Sequence, residues 1–320
     1  MAIHSLPAWK QLAERSHHQL FRQTGVLWIG NSGDTHMQQM LEVLKNNHVT
    51  CNTLSATEIR QNYPQLSVPE TSQGILEPDS GVLMARESVQ ALVRECMKMG
   101  VDYISGCVLP PAVKSRLNAV ITTSGQHVQA AGFIFCCGPW LPKVFPDLLT
   151  DRIHPTRQEV FYLGVPAGDH SFRAPKLPAW LHHSHPLRPY SVPDIRNQRV
   201  KIAFDRHGPN FDPDTGSRVP TEESILELRT YLKTSLPALH SAPLVEIRVC
   251  QYENTSNGDL LIDRHPEMEN VWLVGGGSGH SFKHGPAISE HVKGLLLDQL
   301  PVEPRFSLVA KQTSRVRAVY

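Results

Sequence analysis

The stretch Asn270–Leu300, NVWLVGGGSGHSFKHGPAISEHVKGLLLDQL, constrains the fold more than any other part of the chain. Val271 to Val274 is a short continuous apolar run, the pattern of a buried strand. It stops at Gly275, Gly276 and Gly277, which are followed by Ser278, Gly279 and His280. Gly285-Pro286 then opens an apolar, periodic stretch that predicts a helix. Pro286 suits a first-turn position, because its missing N–H is not needed there. Strand, glycine turn and helix in this order can present backbone N–H groups and a positive helix end to an anionic or electron-rich ligand. The same order also makes an ordinary βα turn, in which glycine is merely permissive. The rest of the chain decides between these readings.

At 320 residues, with 40% apolar and 19% charged residues and a formal net charge of +1, the chain has the balance of a globular protein of one large or two modest domains. It has no basic tract for nucleic acid and no acidic tail. No apolar run reaches the ~18 residues that suggest a membrane span. The first residues, MAIHSLPAWKQLAERS, lack the apolar core of a signal peptide. Six cysteines, Cys51, Cys96, Cys107, Cys136, Cys137 and Cys250, form no CxxC pair. That argues against a zinc site or a disulfide framework, and for a reducing, cytoplasmic compartment. The 17 histidines include the adjacent pairs His17-His18 and His182-His183 but no HExxH, so no metal site is expected.

Taken in order, Pro7 to Phe21 predicts a helix and Gly25 to Gly30 a strand. Thr35 to Lys45 predicts a helix. Ser55-Ala-Thr-Glu58 is a capping box for a short helix that Pro64 ends. Gly74 to Pro78 reads as a strand, and Arg86 to Met99 as an amphipathic helix stopped at Gly100. Val101 to Leu109 reads as a strand, and 117–123 with 127–131 as a hairpin around Ser124-Gly125. Phe133 to Cys137, ending at Gly138, suits a central strand of an α/β sheet. Beyond Arg152 the texture changes. Gln158 to Gly164, Arg199 to Asp205 and Leu244 to Tyr252 read as strands of a mostly antiparallel sheet, and Thr221 to Leu236 as a helix with Thr221 as N-cap.

The segments GVLMARESVQALVREC after ILEPDS, FIFCCGPWLPKVF, VKIAFD, RVCQYENTSNGDLLIDRHPE and NVWLVGGGSGHSFKHGP occur in this order. In that order the chain resembles the D-amino-acid-oxidase-like FAD-dependent oxidoreductases, nearest the branch of monomeric sarcosine oxidase and N-methyltryptophan oxidase. The resemblance runs from about Trp9 to Leu300. It implies an α/β, mixed α+β fold: an incomplete FAD-binding Rossmann-like domain with an inserted, mostly antiparallel substrate domain. Residues 1–80 are expected to be mainly substrate-domain elements, 81–150 and 250–300 parts of the FAD-binding domain, 151–249 the substrate domain, and 301–320 a C-terminal tail.

Roles follow from the resemblance position by position. Cys250 matches a cysteine that carries FAD through a thioether. Lys201 matches a lysine over the flavin that promotes reaction with O2, where a fixed ammonium stabilises developing negative charge. Lys283 matches a lysine that holds the carboxylate of an amino-acid substrate. Gly277, Ser278, Gly279 and His280 match backbone beside the flavin ring, and Val108 and Gly138 match weaker cofactor contacts. Where the branch has a histidine near the substrate this chain has Asp205, which leaves room for an amine with extra positive charge. The expected partners are a small amine or amino-acid substrate and O2.

One feature of the family is missing. The sequence contains no GxGxxG, and Gly30-Asn-Ser-Gly33 has the wrong spacing. The chain is therefore expected to begin at an internal methionine, or to receive its first βαβ unit from a separate chain, or to have lost FAD binding. The first is favoured, because the downstream flavin-site residues are retained. The resulting expectation is an FAD-dependent amine or N-methyl amino-acid oxidase that yields an imine and hydrogen peroxide. The competing expectation is a truncated, non-catalytic flavoprotein-like binding or interaction module.

Overall fold

Alternating apolar and polar residues in Ile153–Gly164 make a strand with one face for a core and one face left over. A computed structural model of the protein describes residues 1–196 and 199–311 and shows what that strand organises. Residues 312–320, the end of the expected C-terminal tail, lie outside the described residues. Eight strands form the largest sheet, in the order Leu244–Thr255, Ile153–Gly164, Arg199–Phe204, Pro189–Val192, Ala179–His182, Val26–Asn31, Ser72–Glu77 and Asn52–Ser55. Neighbours are antiparallel except Ala179–His182 with Val26–Asn31, which run parallel.

The register carries one face right across the sheet. Leu27 lies opposite Trp180, Trp180 opposite Ser191, Ser191 opposite Ile202, and Ile202 opposite Phe161. On this face Leu27, Ile29, Phe161, Leu163, Trp180, Val200 and Ile202 are buried against Leu228, Tyr231 and Leu232 of helix Glu222–Ser235 and Ile59 of helix Ala56–Asn62. Each such side chain contributes about 1.5–3 kcal/mol when fully buried. The other face carries the residues of opposite parity. Trp28, Leu181, Tyr190, Ala203, Val160 and Arg248 form one cross-strand row.

A smaller sheet orders Leu261–Arg264, Val271–Gly275 and Phe133–Phe135, the last pair parallel. Val271 and Leu273 share a core with Phe133, Phe135, Leu141 and Leu261. Trp272 and Ile262 turn the other way, onto Val292 and Leu295 of helix Gly285–Leu296. The sheet is thus mixed α/β, as expected, and Pro286 does sit in the first turn of that helix.

Most expected elements form, including the Ser55–Glu58 capping box, the Thr221 cap and the hairpin with Val120 opposite Val128. Three differ. The first helix runs Ala2–Ser16 and stops because His17 adopts a left-handed conformation (φ 55); Phe21 instead opens a strand paired with Gly81–Leu83. Val101 to Leu109 makes only an isolated bridge, Val108 to Thr122, since alternation alone does not supply a partner strand. Phe133–Phe135 is an edge strand among the described residues, and Ile134 between its two buried phenylalanines is 46% exposed. No helix among the described residues is long and apolar enough to cross a membrane.

Helix Glu222–Ser235 should therefore hold the large sheet through its inner positions only. Leu228→Ala (0% exposed) is expected to lower stability by about 2–5 kcal/mol. Leu226→Ala (68% exposed) should stay within about 0.5 kcal/mol, both measured by denaturant unfolding.

Candidate active site

The open face of the large sheet holds several of the residues singled out from sequence. Lys201 lies opposite Tyr162, and Cys250 opposite Gln158. Tyr162 and Gln158 have the same parity on one strand, so Lys201 and Cys250 project to the same side. Tyr252, opposite Thr156, shares that side. All three are half-buried. The Lys201 ammonium lies 5.0 Å from the Tyr190 ring. Tyr162 is flanked by the guanidinium groups of Arg199 at 4.3 Å and Arg248 at 5.2 Å, and Glu246 pairs with both. The result is an aromatic floor with fixed positive charge on the face that also carries Cys250.

At the far end of Leu244–Thr255 this face meets the glycine turn. Gly276, Ser278 and Gly279 all have positive φ (69, 46 and 81). A Cβ on Gly279 would stand 2.4–2.6 Å from three Tyr252 ring carbons, one on Gly276 against Thr255, and one on Gly277 against the Ser281 hydroxyl. Glycine is required here by close approach as well as by conformation. The turn does not point all its N–H groups outward. Gly277 donates to Glu253 Oε1 at 3.1 Å, Ser278 to the Glu253 carbonyl at 3.1 Å, and His280 to the Gly277 carbonyl at 3.0 Å. The Ser278 hydroxyl is buried and donates to the Gly276 carbonyl. His280 is half-buried beside it. Burial raises the Glu253 carboxyl above the usual range, opposed by its backbone hydrogen bonds.

Asp205 follows the Lys201 strand and accepts a hydrogen bond from the Tyr252 hydroxyl at 3.2 Å. Burial raises its carboxyl, against the lowering effect of that hydrogen bond and of the charges on Lys283 and Arg188. Burial lowers the proton affinity of Lys283, while Asp205 and Glu77 oppose the shift. Lys283 is nonetheless exposed as a residue, so solvent reaches part of it. The first helix fixes the backbone under it. Trp9 stacks on Phe282 at 5.2 Å and its indole N–H donates to the Lys283 carbonyl at 3.0 Å. The buried Ser5 hydroxyl accepts from the Ala287 N–H at 3.2 Å, at the start of helix Gly285–Leu296.

The remaining expected residues lie at the end of the smaller sheet. Gly138 has φ 54 and open space where a Cβ would stand. Beside it the Cys137 thiol is pushed up to about 11, chiefly by burial, with Cys136, Glu253 and Cys107 as charged neighbours. Val108, next to Cys107, is half-buried and packs on the core of that sheet. Lys201, Cys250 and Tyr252 thus share one face, Tyr252 links it to Asp205 and the glycine turn, Gly138 follows Cys137, which Glu253 influences, and Val108 stays with the core of the smaller sheet. Sequence reasoning passed over Tyr252, although it stands two residues from Cys250 and a strand's period of two puts both on one side. It also passed over Trp9, Tyr190 and Arg188, for which no local signal exists.

Residues 1–295 match the model of the FAD dependent oxidoreductase family. The chain belongs to this family. It is 28% identical over 303 residues to monomeric sarcosine oxidase of Bacillus sp. (strain B-0618), covering 93% of this chain and 77% of that protein. It is 27% identical over 318 residues to human peroxisomal sarcosine oxidase, covering 96% and 79%. With N-methyl-L-tryptophan oxidase of Yersinia pestis (strain Pestoides F) it shares 25% over 294 residues, covering 91% and 77%. The fold matches L-proline dehydrogenase from P. horikoshii with a TM-score of 0.79 at 18% identity, covering 96% of this chain and 81% of that one. The chain is an FAD-dependent enzyme, and its donor set fits the ring end of that cofactor. An aromatic floor, a thiol and fixed cations line one face, and the tight glycine turn closes its end.

Gly279→Ala tests the close approach. Gly33 also has positive φ (82) but nothing within 4 Å of a Cβ. Gly33→Ala should cost about 1 kcal/mol from backbone strain. Gly279→Ala should cost about 1–3 kcal/mol more, because Tyr252 must move. Denaturant unfolding of the two variants gives the comparison.

Proposed function

We propose that this FAD-dependent oxidoreductase oxidises a secondary or N-methyl amino acid at the carbon beside nitrogen, with O2 as final electron acceptor and an imine and hydrogen peroxide as products. The observation that carries this reading is the shared face of Lys201, Cys250 and Tyr252, with the Asp205–Lys283 cluster at its end. FAD supplies a two-electron acceptor for the hydride leaving the substrate carbon. The Lys283 ammonium binds the substrate carboxylate. The Asp205 carboxylate, its proton affinity raised by burial, accepts the proton that the substrate ammonium must lose before it can become an imine. The Tyr252 hydroxyl, held protonated by burial far above the ordinary tyrosine range, donates to Asp205 and fixes its orientation. Lys201 places a positive charge where O2 gains electrons. The Cys250 sulfur would hold the flavin ring through a thioether, with Gly277, Ser278, Gly279 and His280 as the backbone that would receive it, and Val108 and Gly138 would be weaker contacts from the smaller sheet.

The open edge of Phe133–Phe135 supports a further partner. Ile134 on this strand is 46% exposed. A parallel strand from another βα unit, of this polypeptide or a separate one, would cover that edge and carry the phosphate end of the cofactor. The six free cysteines support a reducing, cytoplasmic setting.

Lys201→Met is the decisive variant. It should slow the reaction of reduced flavin with O2 by roughly 10²-fold more than it slows anaerobic reduction by substrate, measured by stopped-flow absorbance. Equal slowing of both half-reactions would remove Lys201 from oxygen chemistry. A pH series tests Lys283. Carboxylate binding needs its protonated form, and its proton affinity is lowered. The affinity for acetate should therefore fall with rising pH, beginning below the ordinary lysine range. Asp205 ionising adds a loss of the same sign. Lys283→Gln should flatten the upper part of that profile in a titration calorimeter.

A further inference from the structure

Strand Arg199–Phe204 ends just before Asp205. Its ladder with Ile153–Gly164 runs from Arg199 opposite Gly164 to Ala203 opposite Val160. The same step continued would set Asp205 opposite Gln158. Here the chain lifts away from that neighbour, and it returns further on. The Arg157 N–H donates to the Pro209 carbonyl at 2.8 Å, Asn210 bridges to Thr156, and the Phe211 N–H donates to the Pro155 carbonyl at 3.0 Å. Four positions from Val160 to Thr156 thus face seven from Ala203 to Asn210, so the chain carries a three-residue bulge directly after Asp205.

The side chain of Gln158 spans the gap in the ladder. Its Nε2 donates to the Arg206 carbonyl at 2.8 Å, and its Oε1 accepts from the Gly208 N–H at 2.8 Å. A carboxamide offers the donor and acceptor of a peptide group, so it replaces the backbone partners that the bulge has moved out of reach. Gln158 is 5% exposed, and its oxygen and nitrogen both bond within the protein. Gly208 completes the arrangement. A Cβ there would meet the Arg157 carbonyl oxygen, so glycine lets the bulge come back this closely to the strand. The bulge is held on both sides of His207, one residue beyond Asp205.

We propose that Gln158 is a positioning residue for the Asp205 carboxylate: it fixes the bulge after Asp205 and so keeps that carboxylate on the Tyr252 hydroxyl. The Asp205 N–H is tied to the Arg188 carbonyl at 2.9 Å, and the Gln158 amide ties the residue that follows. This rests on the reading of Asp205 as proton acceptor given above, and it adds a residue that acts through Asp205. The groups facing Asp205 are Tyr252 from Leu244–Thr255, Lys283 beside the glycine turn and Arg188 before Pro189–Val192. Burial outweighs each of them and raises the carboxyl. A bulge released from Gln158 admits water to Asp205, and its proton affinity then falls toward the ordinary range.

Gln158→Met keeps the length of the side chain but neither bond, and two measurements on it test the proposal. Hydrogen exchange read by mass spectrometry on the purified protein should be about tenfold faster in the segment 206–210 and unchanged in helix Glu222–Ser235. The second measurement is anaerobic flavin reduction by N-methylglycine across pH. Asp205 must be ionised to take a proton, so the rate is lost as pH falls through its titration. In the variant this acid limb should move to lower pH, and the rate above it should fall at least about tenfold. Gln158→Leu serves if the methionine variant does not fold. Unchanged exchange at 206–210 would overturn the proposal. So would faster exchange with an acid limb that stays in place, which would make Gln158 a structural residue only. An unaltered protein that N-methylglycine does not reduce would remove the amino-acid reading, and the exchange comparison would then uphold or overturn Gln158 as the residue that fixes the bulge.

Discussion

The period of two in the central strands is the constraint on which the site depends. Ile153–Gly164 is paired on both sides, so its alternation is imposed on Arg199–Phe204 and on Leu244–Thr255. Phe161, Leu163, Val200 and Ile202 must lie under helix Glu222–Ser235. Once they do, Lys201, Cys250 and Tyr252 have only the opposite face available. A slip of one residue would drive a lysine into the core and bring core residues out. The apolar core thereby positions the chemistry without touching it.

Electrostatics then sorts the open face. Near Tyr162 the charge is fixed by two arginines tied to one glutamate. Near the glycine turn it is adjustable. Asp205 and Lys283 are both shifted by burial toward their neutral forms, and each resists through the other. A pair held in that balance responds to a charged ligand, because one added carboxylate or ammonium changes which form is favoured. The turn contributes shape more than donors, since the N–H groups of Gly277, Ser278 and His280 bond within the protein.

The fold was legible wherever a local rule was strong. Alternation, the Ser55–Glu58 capping box, the Thr221 cap and the proline at the start of the last helix all marked real elements. What depended on a partner strand was not. Val101 to Leu109 has strand-like residues but only one bridge, and the apolar run at Phe133 hides that Ile134 faces outward. Within the site, Cys250, Lys201 and Lys283 could be picked by resemblance, and Tyr252 could have been added from its spacing. Trp9 could not, because its contact with Lys283 joins residues 274 positions apart. Arg188 was equally hidden. Its place beside Asp205 is set by a backbone contact that only the tertiary structure assembles.

The most direct measurement is peptide mapping by mass spectrometry of the protein after incubation with FAD and acid precipitation. Cys250 on the open face, among fixed cations, predicts that the flavin mass stays with the peptide containing Cys250 and no other cysteine peptide. Flavin found on a different cysteine, or released entirely by acid, would contradict Cys250 as the covalent anchor of the cofactor.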